Sequence, residues 1–117
     1  MLSCCTLIGS IKVMPREVKD AKGIKRMMLT LAVERPFRNV DGITEIDDFE
    51  VEFWKGIAEE TKDRCSPGAV LAIKGRLEVH PFLDEQMKTV NKVEIIAENV
   101  VLLSSRIIST AKAQHLI

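Results

Sequence analysis

An all-β domain with one short helix, closed into a small barrel, is the fold this sequence predicts. Three observations lead there. Most segments alternate apolar and polar side chains with a period of two. A single segment, "GIAEETKDRC", has helical spacing instead. That segment falls between the third and fourth strand-like stretches, whereas a parallel sheet would need a helix at nearly every crossover.

The first stretch, "CTLIGSIKV", is apolar and interrupted by Gly9, which predicts a bent first strand or a bulge. "EVKDAKGIKR" is polar with Gly23 at its tip and reads as a hairpin loop. In "MMLTLAVE", Leu29, Leu31 and Val33 alternate with Met28, Thr30 and Ala32, giving a second strand. "IDDFEVEFW" puts Phe49, Val51 and Phe53 on one face and Asp48, Glu50, Glu52 and Trp54 on the other, a third strand with one dry face. The helix then aligns Ile57, Ala58, Thr61 and Cys65 and stops at Ser66-Pro67-Gly68. "AVLAIKGRLEVHPF" resumes the alternation, with Leu71, Ile73, Leu77 and Val79 inward and Lys74, Arg76, Glu78, His80 and Phe82 outward. After the loop "LDEQM", "TVNKVEIIAENVVLL" supplies the last strand. Three strands, a helix and two strands, read as a closed antiparallel sheet with the helix plugging one end, describe a five-stranded Greek-key barrel of the oligonucleotide/oligosaccharide-binding (OB) fold. The barrel is expected over residues 1–103, with 104–117 a short tail that is either an amphipathic turn or two or disordered.

At 117 residues the chain is a single domain. Lys plus Arg and Asp plus Glu number 17 each, so no global field draws a polyanion. The balance is uneven along the chain: Met1 to Glu45 carries eight bases against five acids, Ile46 to Asp63 two against seven, and Arg64 to Ile117 seven against five. Any nucleic-acid surface must therefore be a local patch. No apolar run is long enough for a membrane span, and "MLSCC" lacks the parts of a signal peptide, so a cytoplasmic protein is expected. Three cysteines, two of them adjacent, make no disulfide framework and fit a reducing compartment. Cys4-Cys5, Cys65, His80 and His115 have no metal-ligand spacing. No phosphate-binding glycine loop, nucleophile elbow or catalytic carboxylate pair is present, so neither an enzyme, a metal nor a cofactor is expected.

The outward face of the fourth strand sets Lys74, Arg76, His80 and Phe82 together, with Trp54 on a neighbouring strand and Arg35, Phe37 and Arg38 at the tip of "LTLAVERPFRNVDG". Basic residues interleaved with aromatics suit single-stranded nucleic acid, whose bases stack and whose phosphates need cations. Each residue also has a plainer reading. Trp54 can be the edge of a core, Arg35 and Arg38 can be solvated charge near a turn, and Glu50 and Glu52, in phase with Trp54, would repel phosphate.

Five stretches taken together resemble the bacterial single-stranded DNA-binding proteins, including the related primosomal replication proteins. "CTLIGSI" is similar to that family's opening strand, and "LTLAVERPFRNVDG" to its second strand, basic-aromatic tip and loop. "FWKGIAEET" resembles the end of its third strand and its helix entry, "PGAVLAIKGRLE" its fourth strand and "VEIIAENVVLL" its last. The resemblance runs from Met1 to about Leu103. It implies binding of single-stranded DNA, without sequence preference or catalysis, in replication, recombination or repair. Phe37, Trp54 and Phe82 then fall at base-stacking positions, and Arg35, Arg38, Lys55, Lys74, Arg76 and His80 at or beside positions that meet phosphate. It also implies a homo-oligomer, tetramer or dimer, partly through the first strand, and other replication proteins as partners.

The sequence departs from the family at Asp48, or Phe49 if the register slides by one, where a stacking aromatic is expected, and at Glu78, where the family is often basic. The ending "IISTAKAQHLI" replaces the family's Gly/Pro-rich linker and acidic tip, so recruitment of partners by a tail is not expected. The alternative from another class is a protein-interaction adaptor with little nucleic-acid affinity, built on the acidic third strand and apolar tail.

Overall fold

The computed structural model describes residues 1–19 and 23–104. The C-terminal tail expected at 104–117 lies outside the described residues except for Ser104. The order is β1 (Cys5–Lys19), β2 (Lys25–Arg38), β3 (Thr44–Phe53), α1 (Lys55–Arg64), β4 (Val70–Leu83) and β5 (Thr89–Ser104). The strands close in the order β1-β2-β3-β5-β4, the OB-fold barrel expected from the sequence. One feature of the expected sheet is corrected. The seam that closes the barrel is parallel, pairing Val51 with Ile95 and Glu52 with Ile96, while the other four pairings are antiparallel. Strand alternation along a sequence carries no information on direction, and α1 and β4 intervene between β3 and β5 to reverse the chain.

The period-two pattern becomes a core in which Ile11, Leu29, Leu31, Val51, Phe53, Leu71 and Ile73 are all but fully buried, joined by Ile95 and Ala97 of β5. Burial of such side chains stabilises by about 1.5–3 kcal/mol each. The helix buries Ala58 and Thr61 against this core and brings Ile57 and Cys65 to its edge, the face expected from their spacing. Its exit is stitched to β1, where the Ile11 amide donates to the Ala69 carbonyl at 2.9 Å and the Gly68 amide to the Ile11 carbonyl at 2.8 Å.

Gly9 is the bend of β1. Residues Cys5–Ser10 pair with β4 and Ser10–Lys19 with β2, so the strand turns a barrel corner there. A methyl group on Gly9 would collide with the Ala32 carbonyl oxygen. The register shifts lie beyond it, between Ile11 and Arg16, so the bulge alternative does not apply at Gly9 itself. The polar stretch read as a hairpin loop is partly strand: Glu17–Lys19 pair with Met27–Lys25. Consequently β1 and β2 project as an arm past the barrel wall.

A second arm is the β4–β5 ribbon, paired from Val70 with Ser104 to Leu83 with Thr89. Here the expectation that Leu77 and Val79 point inward fails, since they are 42% and 61% exposed. They keep the phase of Leu71 and Ile73, but β1 pairs with β4 only as far as Gly75, so beyond it the core-facing side has nothing to face. Among the described residues no helix is long and apolar enough to cross a membrane.

Candidate nucleic-acid interface

The two arms and the outer faces of β2 and β3 enclose a groove with two cavities. The first, about 580 Å³, lies between the arms and is lined by Val18, Ile24, Met28, Pro81, Phe82 and Leu83, with Arg16, Lys19, Arg26, Glu50, His80, Lys92 and Glu94 as its polar groups. The second, about 630 Å³, lies at the start of the helix, between Arg26 and Glu52 on one side and Trp54, Lys55 and Lys62 on the other. Arg26 borders both.

Two of the three expected aromatic platforms stand on this groove. Trp54 caps the N-terminus of α1 with an extended backbone and no side-chain cap bond, which throws the indole outward at 60% exposure. The Arg76 guanidinium sits 5.8 Å from its centroid. Phe82, 39% exposed, forms a wall of the first cavity with Lys92 Nζ 5.9 Å from its centroid. Such cation–ring contacts contribute about 0.5–1 kcal/mol at exposed sites. Phe37 is 79% exposed at the end of the β2–β3 finger, with Arg38 beside it, and borders neither cavity. The finger turn is held by Asn39 Oδ1, which accepts from the amides of Asp41 at 2.9 Å and Ile43 at 3.0 Å.

The basic positions divide by what they touch. Arg35 donates Nε to Asp47 at 2.9 Å and also bonds Glu45. The Asp47 contact holds that carboxyl below its ordinary pKa and raises that of Arg35. Arg76 donates to Glu78 at 2.8 Å and lies 3.5 Å from Glu98, while His80 Nε2 meets the other Glu78 oxygen at 2.8 Å. Glu78, a departure from the family, is thus a bridge between two expected phosphate ligands. Its pKa is lowered by the His80 bond first and the Arg76 bond second. Lys55 and Lys74 are exposed and carry no ion pair among the described residues.

The carboxylates of β3 are neutralised in place. Lys12 pairs with Asp48, Arg16 with Glu50 at 2.8 Å, and Arg26 with Glu52 at 3.4 Å and with Glu94 at 2.9 Å. Thr30, 5% exposed, donates to Glu50 at 2.7 Å. Burial raises the pKa of Glu52; Arg26 opposes the shift, and Glu94 and Glu78 add to it. Met28 and Thr30, on the outer face of β2, are therefore buried beneath this ladder of charges. Asp48, where a stacking aromatic is expected, is exposed, and Phe49 keeps the phase of Val51 and packs against the core.

Sequence reasoning missed Arg16, Arg26, Lys92 and Glu94. The signal was the continuation of β1 beyond Val13: once Glu17–Lys19 are strand, Arg16 and Val18 belong to a wall rather than a loop. Among the described residues no group of three or more His, Cys, Asp or Glu is placed to hold a metal ion.

Residues 2–103 match the single-strand binding protein family. The chain belongs to that family. It is 29% identical over 106 residues to single-stranded DNA-binding protein 3 of Listeria innocua, covering 91% of this chain and 66% of that one. It is also 29% identical to single-stranded DNA-binding protein 2 of Staphylococcus aureus, covering 91% and 76%. The chain thus spans about two thirds to three quarters of these relatives' length. The fold superposes on the Plasmodium falciparum SSB in complex with ssDNA with a TM-score of 0.69 at 17% identity, covering 89% of this chain and 97% of that one. The small single-stranded DNA-binding protein of Streptomyces coelicolor gives a TM-score of 0.62 at 18% identity, covering 87% and 95%.

Proposed function

We propose that this chain binds single-stranded DNA, without catalysis and without requiring a defined sequence, and protects or organises it in the cytoplasm during replication, recombination or repair. The observation that carries the reading is the placement of Trp54 and Phe82 along one groove, each with a cation against its ring. Bases stack on those rings, each contributing about 1–3 kcal/mol. The backbone runs along the rim, where Lys55, Lys74, Lys92 and Arg38 meet phosphates, and the finger brings Phe37 to the strand from one side. Arg35, Arg76 and His80 act from within their ion pairs. The adaptor reading loses its main support, because Asp48, Glu50 and Glu52 are paired with cations and do not form a free acidic face.

Self-association accompanies this function. Ile8 and Val101, 56% and 50% exposed, flank Ala72 across β1, β4 and β5 on the outside of the barrel, an apolar row that a second copy would cover. Light scattering coupled to size exclusion checks it: a monomer at all concentrations removes the oligomer from the proposal.

The test of binding uses Trp54, the single tryptophan, as its own probe. Titrating oligo(dT) should quench its emission strongly at low salt and less as salt rises, since neutralised phosphates release counterions. Flat emission together with no shift in electrophoretic mobility would overturn the reading.

A further inference from the structure

The polar floor of the first cavity is ill suited to phosphate. Arg16 and Arg26 are each turned onto a carboxylate that also borders the cavity, Glu50 at 2.8 Å and Glu94 at 2.9 Å. Glu52 adds a second carboxylate to Arg26, so two acids share one guanidinium. Lys19 and Lys92 also border the cavity but are exposed, so they can meet phosphates from its mouth. On the floor a phosphate would lie against Glu50 and Glu94, whose charge cancels that of Arg16 and Arg26. A nucleobase is neutral, and Val18, Ile24, Phe82 and Leu83 among the cavity's walls offer apolar surface to its faces. The ion pairs, and the Thr30 hydroxyl bond to Glu50 at 2.7 Å, fix the carboxylates in orientation, so a base edge meets acceptors and donors already in position.

Resting on the single-strand reading above, we propose that this cavity takes a base edge inward and selects for an exocyclic amino group, so that among pyrimidines it prefers cytosine to thymine. A carboxylate only accepts hydrogen bonds, and the cytosine N4 amino group donates them. The neighbouring N3 and O2 of cytosine accept from a guanidinium. Thymine presents O4 where cytosine presents the amino group, which sets oxygen against carboxylate oxygen and repels it. Glu94 and Glu50 are the specificity-determining residues, with Arg26 and Arg16 as their positioning partners.

The experiment compares oligo(dC) with oligo(dT) of equal length at neutral pH, with Trp54 emission and electrophoretic mobility as parallel readouts. Oligo(dC) should bind about tenfold more tightly. Glu94→Gln should bring the ratio close to one, because its amide donates to thymine O4 while Arg26 keeps Glu52; Glu50→Gln should reduce the ratio in the same direction. Glu60→Gln, on the helix outside this cavity, should leave it unchanged. Equal affinities in the unmodified protein, or a ratio preserved in both groove variants, would overturn the base preference and leave single-strand binding standing. Binding of neither oligomer would overturn both. Melting curves of each variant show that it is folded.

Discussion

On the floor of the groove Arg16 and Arg26 are held against Glu50, Glu52 and Glu94, whereas Lys55 and Lys92, which border the cavities, and Lys74 and Arg38, on the outer face of β4 and on the finger, form a rim of exposed cations without an ion pair among the described residues. Both regions carry cations, but only those of the floor have carboxylates beside them, and around Arg26 the difference is also one of depth. Around Arg26 the side chains are only 17–19% exposed, so unpaired charge there would be costly and pairing is required. At the rim water solvates each lysine, which remains available to a polyanion. A chain with equal numbers of acids and bases can thus present a local cationic track, because Glu50, Glu52 and Glu94 are paired on the floor beneath it.

The largest effect should follow from breaking the floor. Arg26→Ala leaves Glu52 and Glu94 facing each other half-desolvated and is expected to lower unfolding stability by about 3 kcal/mol in urea titration. Unchanged stability would mean the ladder contributes nothing to the fold. Removing an aromatic should do the reverse, since Trp54 is exposed: Trp54→Ala should weaken oligonucleotide binding roughly tenfold to a hundredfold, measured by fluorescence anisotropy of labelled DNA, with melting unaltered. Unaltered affinity would remove Trp54 from the site.

A smaller effect lies in pH. Glu52 is raised above its ordinary 4.5, so the folded state holds that proton more tightly than the unfolded chain. Its contribution is fully present below 4.5 and is lost as pH rises through the raised value. Asp47 and Glu78, both lowered, act in the opposite sense: their contribution is present above ordinary carboxylate values and lost as pH falls through the lowered ones. Mild acidification from neutrality should therefore raise the melting temperature slightly before stronger acid lowers it, and Glu52→Gln should abolish the initial rise. A steady decline from neutrality in the unmodified protein would contradict the shift assigned to Glu52.

The core and the order of elements were legible because burial imposes a strict period on strands: Leu29, Leu31, Val51, Phe53, Leu71 and Ile73 are in phase in the sequence and buried in the structure. Leu77 and Val79 share that phase yet are exposed, because phase gives the side of a strand and not the point at which its neighbour ends. The aromatics of the site were legible as outward residues at strand ends. The partners of its charges were not. Lys12 with Asp48, Arg16 with Glu50 and Arg26 with Glu94 join residues 34 to 68 apart in the chain, and only the closure of the barrel and the register of β1 on β2 bring them together. Glu50 and Glu52 therefore read as opposing DNA, when each is in fact paired with an arginine, Glu52 sharing its partner with Glu94.

The division between floor and rim is tested most directly by the salt dependence of oligo(dT) binding. Changing Arg38, Lys55, Lys74 and Lys92 together to alanine should flatten the slope of log affinity against log salt by about three units, at roughly 0.7 for each phosphate no longer neutralised. Arg16→Gln should leave the slope as it is. A slope unchanged by the rim substitutions, or one that collapses with Arg16→Gln alone, would show that the floor carries the phosphates and that the division is wrong.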